Sequence, residues 1–171
     1  MENYLKTRDG VELFYKVNKA EKPVANILIN HGFAEHCDRY DYVAESFAKG
    51  NFNVYRYDLR GHGRTKSPKG HIDEFMDFAR DADEMVSLVK KENPNLPTFM
   101  LGHSMGGFIT CVYGINYPNR LDGQIFSGAA VKRVPQVEGF KGDLFKFLNL
   151  FASKKKIANQ LSGDVCSVAE V

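Results

Sequence analysis

Polar and apolar residues alternate from Thr7 to Val17, with Val11, Leu13 and Tyr15 in register and Arg8-Asp9-Gly10 ahead of them. A period of two opened by a glycine turn predicts an N-terminal β-hairpin. After Pro23 the run Ile27-Leu28-Ile29 is short and unbroken, as expected of a strand buried on both faces of a parallel sheet. Helical spacing follows in Tyr40, Val43, Ala44, Phe47 and Ala48, with Gly50 where a C-terminal cap belongs. The next predicted strand is Asn53 to Tyr57. A longer helix is predicted from Ile72 to Lys91, with Phe75, Phe78, Ala82, Met85, Val86 and Val89 on its apolar face and Asn93-Pro94 ending it. On this pattern Asp73, Asp77, Asp81 and Asp83 fall on a solvated face.

A strand at Thr98 to Leu101, a helix from Met105 to Tyr117 stopped by Pro118, and a strand at Gln124 to Phe126 continue the alternation. Strands alternating with helices predict an α/β fold, a doubly wound, mostly parallel sheet with right-handed crossovers. From Val131 the texture changes, and Phe140, Leu144, Phe145, Phe147, Leu148, Leu150 and Phe151 crowd into a short span. The expected organisation is therefore a core over residues 1–130 and the start of a second region over 131–171.

Composition narrows the classes. With 171 residues, 43% of them hydrophobic, the chain can bury a core, and a formal net charge of +2 is too small for a nucleic-acid footprint. No apolar stretch approaches a membrane span and the N-terminus lacks a signal-peptide pattern. Cys37, Cys111 and Cys166 are odd in number and contain no C-x-x-C, so a disulfide framework is not indicated and a cytoplasmic location is expected.

Gly102-His103-Ser104-Met105-Gly106 matches G-x-S-x-G between a predicted buried strand and a predicted helix, the context in which a serine nucleophile sits on a sharp turn. Flanking glycines are required because side chains there would collide with the adjoining strand and helix. The helix N-terminus offers the Met105 N–H to an oxyanion, and the loop His31-Gly32-Phe33-Ala34 offers the Phe33 N–H as the second donor. Asp58 and Arg60, at the end of a strand, are expected to form a structural ion pair. Gly61-His62-Gly63 lacks the remainder of a phosphate loop, and His31, His36, His62 and His71 lack metal-ligand spacing, so no cofactor and no metal is expected.

These strings together resemble one family. His31-Gly32, Glu35-His36 and Arg39-Tyr40, then Tyr57-Asp58-x-Arg60-Gly61-His62-Gly63-Arg64, then Gly102-His103-Ser104-Met105-Gly106-Gly107 look like the monoacylglycerol lipase and lysophospholipase branch of the α/β-hydrolases, also labelled serine aminopeptidase-like. The resemblance covers residues 1–130, and the Phe/Leu-rich stretch is similar to the start of that family's helical cap. It implies Ser104 as the acyl-accepting nucleophile, Phe33 and Met105 as oxyanion donors, and a small-molecule or lipid ester as substrate. The Lys154-Lys155-Lys156 run beyond the apolar stretch suits peripheral contact with an anionic lipid surface.

The fold's triad runs Ser, then Asp or Glu, then His, yet none of the five histidines follows Ser104. His103, the immediate neighbour on the turn, is not expected to reach the hydroxyl. Asp122, Asp143 and Asp164 are read as surface or capping residues. The expectation is that the chain is C-terminally truncated, with acid and base beyond Val171, and inactive alone. Two alternatives remain: an aminopeptidase acting on small N-terminal residues, and a non-catalytic binding domain that keeps the turn without a base.

Overall fold

The computed structural model describes residues 2–131. The boundary proposed near residue 131, the aromatic run at 139–151 and Lys154 to Lys156 fall outside the described residues but for Val131.

Six strands form one sheet in the order β1-β2-β4-β3-β5-β6: β1 (Glu2–Lys6), β2 (Glu12–Asn18), β3 (Ala25–Asn30), β4 (Phe52–Tyr57), β5 (Thr98–His103) and β6 (Gly123–Ser127). The hairpin β1-β2 turns at Thr7 to Gly10, where Gly10 takes φ 91°, and β2 joins β4 antiparallel. The β4-β3, β3-β5 and β5-β6 pairs are parallel. All six residues of β3 are buried, as its unbroken apolar run requires at the sheet centre.

Alternation along β3 divides the core. Leu28 joins Tyr55, Tyr57 and Met100 on the face covered by α2 (Met76–Glu92) and α3 (Met105–Asn116). Ile27 and Ile29 face the other way, with Val54 and Leu101, under α1 (Asp41–Lys49). Helices on both faces make the sheet doubly wound. Gly50 caps α1 at φ −82°, and the left-handed residue after it is Asn51 at φ 68°.

The apolar face of α2 is as the sequence predicts for Phe78, Ala82, Met85, Val86 and Val89, which are buried, but Phe75 precedes the helix and is exposed. The start of the helix differs from the prediction. The helix begins at Met76, because the Asp77 carboxylate accepts the Glu74 N–H and fixes a turn ahead of it. The solvated face assigned to its aspartates is also corrected, since Asp77, Asp81 and Asp83 are all buried. Asp81 is held by Arg60 through two bonds, Nε to Oδ2 at 3.0 Å and Nη2 to Oδ1 at 2.6 Å. Asp83 accepts the Tyr113 hydroxyl and Arg120 Nε, and Asp77 accepts Arg80.

Arg60 therefore does not pair with Asp58. It bridges Asp81 to Asp9 in the hairpin turn, 2.7 Å from Nη1. Burial pushes the Asp81 carboxyl up to about 6 against the pull of Arg60, whereas hydrogen bonds from Arg60 and Thr7 hold Asp9 down to about 2.

Candidate active site

β5 runs straight into α3 with a single residue, Ser104, between them. Ser104 takes φ 51° and ψ −115°, a left-handed φ that costs on the order of 1–3 kcal/mol for a side-chain-bearing residue. The glycines around it have no room for a methyl group: a Cβ on Gly102 would overlap the Gly106 carbonyl and the Thr110 hydroxyl, and one on Gly106 the carbonyls of Asn30 and His31. Contacts with backbone leave nothing flexible to yield.

The backbone of the turn is tied on both sides. The Ser104 N–H donates to Ser127 O at 3.0 Å, and its carbonyl accepts the N–H groups of Gly107, Phe108 and Ala130. The Met105 N–H, at the first helical position, has no partner among the described residues.

The loop after β3 abuts this turn. A Cβ on Gly32 would lie 3.3 Å from Ser104 Cβ, and also 3.0 Å from Glu35 Oε2. Glu35 fixes the loop, accepting the Gly32 N–H and the Tyr40 hydroxyl at 2.8 Å each, with Arg39 Nε 3.4 Å from its other oxygen. Burial works against the charge, but these donors hold the carboxyl below its ordinary range. Ala34 adopts φ 57°, and the Phe33 N–H, between these fixed points, has no partner among the described residues. The Phe33 ring is exposed.

Beneath the loop, His31 is 1% exposed. Its Nδ1 lies 2.8 Å from Gly32 O, and Nε2 accepts the Leu59 N–H at 3.0 Å, so the neutral tautomer with hydrogen on Nδ1 satisfies both. Burial lowers its pKa to about 4. The His62 ring stands edge-on to His31 and to Phe33, with centroids 5.2 Å and 6.2 Å away. Asp58 joins the two loops, accepting the Cys37 N–H at 2.7 Å and the Arg64 N–H at 2.6 Å. A Cβ at Gly63 would strike that carboxylate. Burial and Asp58 push the Cys37 thiol well above its ordinary range, so it is no competing nucleophile.

The three residues singled out in the sequence, Ser104, Met105 and Phe33, thus lie on one junction of turn and loop. His103 is engaged elsewhere, its Nδ1 3.0 Å from Ser127 O and 3.3 Å from Ser127 Oγ. Asp122 accepts the Thr98 N–H at the opposite end of β5, while Asp143 and Asp164 lie outside the described residues. Glu35 and Tyr40, which order the loop, carry no such assignment in the sequence. The signal available was a carboxylate three residues beyond Gly32. A surface groove of about 640 Å³ between the hairpin turn and α2 contains Arg60 and Asp81 but none of Ser104, Phe33 or Met105. Among the described residues no cluster could hold a metal ion, and no helix is long and apolar enough to cross a membrane.

The profile of the family described as Serine aminopeptidase, S33, matches residues 21–170. Among curated proteins, the monoacylglycerol lipase of Mycolicibacterium smegmatis is 37% identical over 123 residues, which are 71% of this chain and 44% of that protein. The monoglyceride lipase of Rattus norvegicus is 34% identical over 134 residues, covering 78% and 44%. Phospholipase YtpA of Bacillus subtilis is 33% identical over 150 residues, covering 87% and 57%. This chain spans about half the length of the curated relatives it matches. Among solved structures, a soluble variant of Saccharomyces cerevisiae monoglyceride lipase with a substrate analog superposes with TM-score 0.76 at 25% identity, covering 94% of this chain and 55% of that one. A thermostable Bacillus coagulans carboxyl esterase in complex with glycerol gives 0.73 at 28%, covering 90% and 50%.

Proposed function

From the premise that the chain belongs to the serine aminopeptidase S33 family of α/β hydrolases, we propose that it carries the nucleophile and oxyanion donors of a carboxylic ester hydrolase. The strained φ of Ser104 at a strand-to-helix turn is the observation that supports this most. Ser104 Oγ attacks the ester carbonyl and passes its proton to a general base. The carbonyl oxygen, now negative, is held by the N–H groups of Phe33 and Met105. Collapse of the tetrahedral species expels the alcohol with a proton and leaves an acyl group on Ser104, which water then removes as the acid.

No histidine follows Ser104 in these 171 residues, so no triad acid or base is assigned within them. Without such a base the chain is expected to be nearly inert, since removing one costs on the order of 10⁶ in kcat. Monoacylglycerols and lysophospholipids are the proposed substrates, and the relatives named monoacylglycerol lipase, monoglyceride lipase and phospholipase support a lipid ester. A reading as a non-catalytic binding domain is favoured by one observation, the same missing histidine.

Imidazole in solution separates the two. Hydrolysis of a short-chain aryl ester by the chain, above the imidazole background, is expected to rise with added imidazole and to vanish in Ser104→Ala. A Ser104→Ala rate equal to the parent's would remove the catalytic reading. Full turnover without imidazole would show that a base lies within these residues.

A further inference from the structure

The loop between β4 and α2 takes up a positive charge of its own at its exposed surface. Lys69 Nζ donates to the carbonyl oxygens of Gly63 at 2.6 Å, Thr65 at 2.8 Å and His62 at 3.3 Å. An ammonium has three protons to give, and all three go to this one loop. Carbonyl dipoles that converge on a point repel one another unless a cation stands between them. Other bonds hold the same loop in shape. Gly61 and Gly63 take φ 80° and 45°, the Gly61 N–H donates to Ser67 Oγ, and the Gly70 N–H returns to Gly61 O.

One of the three carbonyls belongs to His62, whose ring stands between His31 and Phe33. Its Nδ1 is 3.0 Å from Arg60 O, so the ring orientation is set by the same loop backbone. We propose that Lys69 is a positioning residue: it fills a monovalent-cation cradle of three carbonyls and, through the His62 ring, sets the placement of the Phe33 peptide. The effect on catalysis rests on Phe33 as an oxyanion donor, whereas the effect on placement does not.

The test is a comparison of amide and histidine-ring resonances in the 171-residue chain with Lys69→Met and Lys66→Met. Lys66 loses the same charge nearby but pairs with Glu12 and sits over the Tyr4 ring. The Phe33 amide and His62 ring signals are expected to move in Lys69→Met and to hold in Lys66→Met. Ammonium chloride should return them toward their original positions, and tetramethylammonium chloride, too large to enter between the carbonyls, should not. Unmoved signals in Lys69→Met, equal movement in both variants, or equal recovery in both salts would each overturn the proposal. If Lys69→Met does not fold, Lys69→Gln is judged by the same signals. A chain with intact placement but an unreactive Ser104 would count against the ester-hydrolase reading alone.

Discussion

Lowering the pH should weaken the support under the Phe33 loop through one residue, His31. Its Nε2 accepts the buried Leu59 N–H while Nδ1 faces Gly32 O, and only the neutral ring can do both. Burial is the main cause of its depressed pKa. Gly32 O, Asp58 and Glu35 pull it upward, and His62 adds to the depression. The folded value of about 4 lies below the ordinary 6.5. The unfolded chain therefore takes up the proton first. The stabilisation is complete above pH 6.5 and is lost as pH falls from 6.5 toward 4. At ~1.4 kcal/mol per unit the interval corresponds to about 3 kcal/mol. Asp81, raised to about 6, runs the other way, gaining stability as pH falls below 6. The His31 contribution is therefore read as a difference. Urea unfolding of the chain and of His31→Gln between pH 7.5 and 4 should show their stability gap shrinking by about 3 kcal/mol. A gap that stays constant over that range would refute the burial argument.

Three further outcomes follow from the geometry. Arg60→Met leaves the buried Asp81 carboxylate without its bidentate partner and should cost about 3–5 kcal/mol by denaturant titration, whereas Glu12→Gln at the exposed Lys66 pair should cost about 0–1 kcal/mol. Gly106→Ala drives a methyl into the Asn30 and His31 carbonyls and should lower stability by about 1–3 kcal/mol, with loss of any imidazole-dependent hydrolysis. Glu35→Ala strips the acceptor from the Gly32 N–H and the Tyr40 hydroxyl, about 1–3 kcal/mol for each donor left unpaired, and should lower acylation of Ser104 more than it lowers the melting temperature of distant elements followed by hydrogen exchange.

The elements that were legible in the sequence are those whose residues announce their own burial. Ile27-Leu28-Ile29, a short unbroken run with two β-branched residues, reads as a buried strand, and Phe78 to Val89 repeat at helical spacing. Ser104 is legible for a similar reason, because the glycines at 102 and 106 record a steric requirement of the turn itself. What escaped depends on partners far along the chain. Asp81 looks solvated until Arg60, 21 residues earlier, is brought beside it. Nothing local distinguishes it from Asp73, which is exposed. The start of α2 escaped because an aspartate side chain, not an apolar period, sets it. Glu35 and Lys69 act on backbone groups, N–H in one case and carbonyl in the other, and a string of side chains does not show where those groups point.

The most direct test of the central claim is covalent. The chain is incubated with a fluorophosphonate in imidazole buffer, digested, and the adduct located by mass spectrometry. The account predicts one modified residue, Ser104, with labelling accelerated by imidazole and abolished in Ser104→Ala. A chain left unlabelled in imidazole, or labelled equally after Ser104→Ala, would contradict it.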